Sequence, residues 1–494
     1  MTFSLLTEPW IPLISVDGER REASLSEALL EPERWLGIDS IIPVEVFGLY
    51  RLMVAISHRA IGPESEPRTD LVDHWPRAKL AAYLERWSDH FDLLHPTTPF
   101  LQVSALAEAN LTPSPWTRLA MERSSGAARM IWDHSMDATP SPLTLSAAAR
   151  LLVAHLQFTP GGLVKALRTS AVRGPACGVL LTLPIGATLQ ETLAFSIVPQ
   201  SGEKFAADLP SWERPPLSLE ELRNPQELVL KGPAHRYTLL SRSILLQPSG
   251  GQLTHLLYAE GVIATDANTP TADPMAAVVQ GKKGPMPLLL SEQKALWRDF
   301  QSLVGSKGST PAGTLSHASG IREEQGNERP IEILAGGLLP DQAKIVLWRL
   351  EERRLSPNLL REPRLKDAVD KALELAENAG VGLGKALYAL FTEWLQRSGD
   401  GKPDPQKVRS LGESIQASAF FWSSLEPEFW SFVHDLSQKG DIERTLDQWR
   451  DTLRAVISAA QQQATSSLGL DARALKAASH TSHQFGKVVA GIKA

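Results

Sequence analysis

The chain has 494 residues, 43% hydrophobic and 21% charged, with a formal net charge of −6 and a single cysteine. That length calls for two or more domains. One cysteine excludes an intramolecular disulfide and a cysteine-based zinc site, and an acidic chain that meets nucleic acid must do so through local basic patches or with help from a partner.

In chain order, the first residues, MTFSLLTEPWIPLIS, lack the basic region and apolar core of a signal peptide. Nowhere does the apolar run needed for a membrane span occur. A cytoplasmic chain that does not enter membranes is therefore expected. PWIPLISVDGERREASL predicts two strands around a Val-Asp-Gly turn, because Asp-Gly supports the positive φ of tight hairpins. EVFGLYRLMVAISHRA, LVDHWPRAKLAAYLERWSDHF and SAAARLLVAHLQF carry helical periodicity. HRYTLLSRSILLQPSGGQLTHLLYAEG predicts a second strand pair around PSGG. These pieces do not alternate as βαβ units. The expected fold class is α+β, with a large irregular mixed N-terminal domain over residues 1–357.

The pattern changes after RRLSPNLLREPR. Leu365, Val369, Ala372, Ala376 and Ala379 form one apolar stripe, continued by Leu383, Leu387, Leu390 and Trp394 after a small break at AGVGLG. Asp404 and Pro405 suit an N-cap and first helical position. Val408, Leu411, Ile415 and Phe421 or Trp422 make the next stripe. Ile442, Leu446, Trp449, Leu453 and Val456 make another, and a last helix begins near Asp471. Residues 365–494 are thus expected to form a C-terminal four-helix bundle, with Phe420, Phe421, Trp422, Phe429, Trp430 and Phe432 in its packing.

Signatures of chemistry are missing. QFTPGGLVKALR (residues 157–168) pairs two glycines with basic residues, but lacks the first glycine and the Lys-Ser/Thr of a phosphate loop. There is no Gly-x-Ser-x-Gly elbow and no His-Glu-x-x-His. His480 and His483 read as surface or core-edge residues, and Cys177 as a small buried hydrophobe. Asp133, His134 and Asp137 lie within five residues in a proline-rich stretch, with no helix to fix them as a metal set. They carry the rival reading of a metal-dependent nuclease.

Several stretches together, in order, resemble one family. LLTEPWIPL at 5–13, YLERWSDHFDLLHPTTPFLQV at 83–103, and MIWDHSMD at 130–137 followed by PLTLSAAARLLVAHLQFTPGG are similar to the CasA-type large subunit of the type I-E CRISPR Cascade complex. LLSRSILL at 239–246, ADPMAAV at 272–278 and PIEILAGGLLPDQAKI at 330–345 fit the same family. The resemblance implies a non-enzymatic subunit at the foot of an RNA-guided surveillance complex, beside the 5′ handle of the guide RNA and other Cascade subunits. It implies recognition of the PAM in double-stranded target DNA, help with duplex opening and R-loop formation, and recruitment of a helicase–nuclease. Such a division of labour leaves sequence readout to base pairing. A purely structural cap of the ribonucleoprotein is a further rival.

Residue by residue, the resemblance places Gly161 and Gly162 in a glycine loop at the minor groove, which is only about 6 Å wide and favours backbone without a Cβ. Lys165 and Arg168, one helical turn on, are then expected at flanking phosphates; the plain alternative is a turn before a helix. Ile131, Trp132, Asp133 and His134 open the loop facing the guide RNA. Gln342 and Ala343 match a wedge at the first unpaired step; alternatively Asp341 caps a helix with Gln342 in its first turn. The family's finger lysine has no counterpart in YAEGVIATDANTPTADP, where Asn268 is the candidate. Lys282 and Lys283 in QGKKGP are expected to contact DNA without sequence preference. No cofactor and no metal are implied, and the isolated subunit is expected to be monomeric.

Overall fold

The computed structural model describes residues 2–64, 68–121, 140–265, 273–341, 344–396, 401–439 and 441–493. The chain divides into two compact units: residues 1–293 with 308–357, and residues 294–307 with 358–494.

In the first unit, the helix Pro43–Ile61 is buried on all sides except at Glu45, Arg59 and Ala60. A helix apolar all round belongs in the middle of a core, and Pro43 starts it where a missing N–H costs nothing. Around it lie the helix Leu145–Phe158 and small open sheets. The Val-Asp-Gly turn is found: Ile11–Ser15 pairs antiparallel with Arg20–Ala23, and Trp35–Ile38 adds on the other side. Arg242–Ser249 and Gln252–Glu260 form the second expected pair, turning at Gly250 and Gly251. A third sheet orders Lys344–Leu355, Ile331–Asp341 and Leu181–Ile185. Trp10, Phe47, Leu52, Phe91, Phe100 and Phe158 fill the core with almost no exposure. Prolines shorten the elements; Pro76, for instance, separates the turn Asp70–Asp73 from the helix Arg77–Arg86.

The second unit is helical. Its long helices are Pro363–Leu395, Ala417–Lys439, Ile442–Ser467 and Ala472–Ala490, with the shorter Pro405–Ile415 between the first two. Asp404 caps Gln406 N and Asp471 caps Ala474 N, as the sequence predicts. AGVGLG is no break: the helix runs through it. A Cβ on Gly380 would meet the Trp422 ring at 2.3 Å, so the glycine serves close packing. The stripe Val408–Trp422 is instead two helices, divided at Gln416, whose φ is +57°. Phe421, Phe429 and Phe432 are buried, with Phe432 against Trp449 at 5.7 Å between rings.

No helix among the described residues is long and apolar enough to cross a membrane.

Candidate nucleic-acid interface

The glycine pair follows a helix rather than preceding one. Thr144 caps the helix Leu145–Phe158 by accepting from Ala147 N, and apolar residues at Leu145, Ala148, Ala149, Leu152, Val153 and Leu156 bury one face. Pro160 stops it. The chain then forms a short hairpin, Gly162–Leu163 against Ser170–Ala171. Its base closes where Gly174 N donates to Thr159 O at 2.8 Å and Ala176 N to Gln157 O at 2.9 Å. The helical placement of Lys165 and Arg168 is therefore corrected: both sit in the hairpin's 164–169 tip.

The two cations are not equivalent. Lys165 is exposed and holds a left-handed backbone, φ +58°. The Arg168 guanidinium is turned inward, donating to Leu222 O at 2.7 Å and Gly261 O at 2.6 Å. In this structure Arg168 ties the hairpin to those two carbonyls, and a phosphate contact would have to replace them. The glycines differ as well. Gly162 is exposed, whereas a Cβ on Gly161 would press on Arg173 N at 3.2 Å and Ala171 O at 3.4 Å. Gly161 is tightly enclosed by the opposite leg of its own hairpin.

Two buried arginines support this region, and neither drew notice in the sequence: Arg242 roots the hairpin, and Arg51 holds the end of the helix before it. Arg242 donates to Pro160 O at 2.5 Å on one leg and Val172 O at 2.6 Å on the other. Its Nε donates to Tyr258 Oη at 3.1 Å. His155 carries the chain on. Its Nδ1 lies 3.0 Å from Leu119 O and must donate there, so Nε2 accepts from Tyr258 Oη at 2.9 Å. Burial, with Arg242 and Arg118 nearby, depresses the His155 pKa to about 3, which keeps it neutral. Arg51, also fully buried, donates Nε to Gln157 Oε1 at 3.0 Å and Nη1 to Asp273 Oδ2 at 2.8 Å. Tyr237 Oη donates to the other Asp273 oxygen at 3.2 Å. Charged residues inside apolar runs, such as Arg242 in LLSRSILL, were the available signal, because arginine is rarely buried without partners.

The short stretch Ala176–Leu181 joins the candidate segments. Gly178 N donates to Leu338 O at 2.9 Å, and Leu290 N donates to Gly178 O at 3.0 Å. Leu180 N donates to Leu288 O at 2.9 Å. Leu338 lies in the long hairpin Ile331–Asp341/Lys344–Leu355. The last described pair of that hairpin is Asp341 with Lys344. The helix that was the alternative after Asp341 is thus replaced by paired strands, with Ile331–Asp341 buried over most of its length as the central strand between two partners. Leu288–Leu290 follows the hairpin Val278–Gly281/Gly284–Pro287, whose turn is Lys282–Lys283. Both lysines are exposed. Three hairpins therefore hang from one stretch of backbone.

Gln342, Ala343, Asn268, Ile131, Trp132, Asp133, His134 and Asp137 lie outside the described residues. Cys177 is fully buried, and burial pushes its thiol up to about 12, which suits packing and not nucleophilic attack. The His480 ring pairs with Glu393 at 2.9 Å, and the His483 ring lies 3.1 Å from the His480 backbone carbonyl, so the two rings do not face each other as a ligand pair. Among the described residues no three His, Cys, Asp or Glu side chains gather as a metal set.

Comparison with known proteins agrees with this arrangement. The family described as CRISPR-associated protein Cse1 matches residues 4–460. The CRISPR-associated protein CasA/Cse1 of Thermus thermophilus is 33% identical, over 99% of this chain and 97% of that protein. The crystal structure of Thermus thermophilus CasA superposes with a TM-score of 0.86 at 31% identity, covering 99% of this chain and all of that one. A chain of a CRISPR RNA-guided surveillance complex, 23% identical, shares the fold with a TM-score of 0.79 over 98% of this chain and 99% of that one. With the match running along nearly the whole sequence, the chain belongs to the CRISPR-associated CasA/Cse1 family.

Proposed function

We propose that this chain is the large subunit of a type I-E Cascade complex, assembling with the other Cascade subunits and the 5′ handle of the guide RNA. In that place it reads the PAM of double-stranded DNA, helps to open the duplex, and recruits the helicase–nuclease. The reading includes no catalytic step of its own. Family membership supports it, and one observation carries it further: the glycine hairpin, the Lys282–Lys283 hairpin and the strands flanking Gln342 and Ala343 all hang from Ala176–Leu181.

The hairpins have complementary parts to play. Gly162 and Lys165 offer exposed backbone and one cation at the end of a rooted hairpin. Backbone can follow a narrow groove, while a lysine binds phosphate without reading sequence. Lys282 and Lys283 add two more cations on a local patch of an otherwise acidic chain. Residues 342–343 join two strands, Ile331–Asp341 and Lys344–Leu355, that pair along their whole length, a stiff support for a wedge that must offset a few kcal/mol of unstacking.

The test is reconstitution. The chain is mixed with guide-loaded Cascade subunits and a duplex with or without PAM, at stated salt. PAM-dependent binding that requires this chain is expected. Assembly without any gain in DNA binding would favour a structural cap. Cleavage of DNA by the purified chain with Mg²⁺ or Mn²⁺ would favour a nuclease.

A further inference from the structure

We propose that Glu260 is a positioning residue whose buried carboxylate latches the tip of the glycine hairpin and so sets where Gly162 and Lys165 meet DNA. The proposal rests on the reading above that this hairpin contacts the duplex.

Glu260 ends the strand Gln252–Glu260 and has no exposed surface. Its two carboxylate oxygens accept from Leu167 N at 2.8 Å and Ala166 N at 3.2 Å. These are the two amides directly after Lys165. The next residue, Arg168, donates to Gly261 O, the carbonyl directly after Glu260. The tip and the strand end thus grip each other in both directions, carboxylate to amide and guanidinium to carbonyl. The tip is also tied by Arg168 to Leu222 O and by Ala166 and Leu167 packing on the cluster around Leu222 and Leu257, but Glu260 is the side chain that takes up its two amides, beyond the Leu163–Ser170 pair and the bond from Val164 N to Thr169 O at 3.3 Å.

A carboxylate is a costly choice beside a polyanion, since its charge repels phosphate. It is also the one side chain that accepts from two amides with two equivalent oxygens. Burial pushes the Glu260 pKa up, and the Leu167, Arg168 and Ala166 amides outweigh it and hold the carboxyl below its ordinary range. The latch is therefore charged when the hairpin works. Glutamine at 260 keeps the size, removes the charge, and leaves one of the two amides facing an N–H instead of an acceptor.

This gives an experiment whose sign is informative. Removing a negative charge near DNA should by itself tighten binding. Losing the latch should weaken it. We expect E260Q, in the full-length chain, to speed hydrogen–deuterium exchange in peptides covering 163–168 at least tenfold, with 174–181 unchanged. In the assembled complex, affinity for PAM-bearing duplex should fall about tenfold. Lys165→Asn, which keeps a residue tolerant of positive φ, should weaken binding in wild type and add little to E260Q. Unchanged exchange in 163–168 would overturn the latch. Faster exchange with equal or tighter DNA binding would overturn its positioning role. Wild-type affinity for both Lys165→Asn and Gly162→Asp would overturn something different, the DNA reading of the hairpin on which the proposal rests.

Discussion

Gly178 donates its amide to the Leu338 carbonyl at 2.9 Å while holding a left-handed φ of +81°, so a residue of the segment after one hairpin is bonded into the strand of another. Gly178→Ala should destabilise the larger unit by about 1–2 kcal/mol, the cost of a Cβ in that backbone region. A urea unfolding midpoint equal to wild type would contradict this. The same variant should slow both docking and opening of the duplex, because it disturbs the shared support.

The two neighbouring glycines should separate in a way their adjacency conceals. Gly161→Asp should lower stability, since its Cβ meets the Arg173 amide at 3.2 Å. Gly162→Asp carries a backbone cost of its own at φ +158°, yet should bind PAM-bearing duplex at least tenfold more weakly than Gly161→Asp at equal folded fraction, through bulk and repulsion from phosphate. Measuring Tm and Kd on both variants decides; a stability loss confined to Gly162→Asp would reverse the assignment.

Lys282→Ala with Lys283→Ala should weaken duplex binding equally for every sequence. Each lost phosphate contact should reduce the slope of log K against log salt by about 0.9. PAM preference should survive. A slope that does not move would leave these lysines as ordinary surface residues at the turn of a hairpin.

For Gln342→Gly the expected defect is in melting, not in docking. R-loop formation should slow on relaxed linear duplex and recover on supercoiled or pre-melted targets, where the unstacking cost is already met. A defect as large on a bubble as on a linear duplex would exclude a wedge.

Acid should loosen the larger unit before its carboxylates titrate. Burial first, and neighbouring arginines second at His155 and His235, depress these two histidines to about 3; burial depresses His58 to about 4. All three lie below the unfolded value of about 6.5, so unfolding takes up protons below that pH. Their stability contribution is complete above pH 6.5 and is lost as pH falls toward 4 and then 3, each at up to about 1.4 kcal/mol per pH unit. Urea midpoints should fall as pH drops from 6.5 to 5, with proton uptake on unfolding to which His317 and His90, also depressed by burial, add, and His235→Gln should remove about one proton. A flat profile over that window would refute the assignment.

Much of this architecture was legible in the chain. Asp-Gly and Gly-Gly marked two strand pairs, and Asp404-Pro405 and Asp471 marked helix starts, because turns and caps are local chemistry. The hairpin at 162–171 was not legible. Gly162–Leu163 and Ser170–Ala171 are too short to show a period of two, and what holds them comes from Arg242 and Glu260, far away in sequence. The acceptors of Arg168 were hidden for the same reason: a cation after glycines gives no sign that Leu222 O and Gly261 O receive it. The paired strands around Gln342 were hidden by Pro340 and Asp341, which also suit a helix start.

Residues 294–307 have a practical consequence for dissecting the protein. They leave the larger unit and return to it, so the polypeptide passes between the units at 293/294, 307/308 and 357/358. Trp297 and Phe300 in this excursion pack on Phe429 at 5.2 and 5.5 Å, and Ser306 donates to Asp370 at 2.5 Å. Cutting the chain at 357 would therefore strip two large aromatic side chains, each almost fully covered, of the helices that cover them. A soluble fragment of the larger unit needs residues 294–307 excised and bridged by a polar linker. The complementary helical fragment needs the same fourteen-residue segment, 294–307, grafted back before its own core is whole.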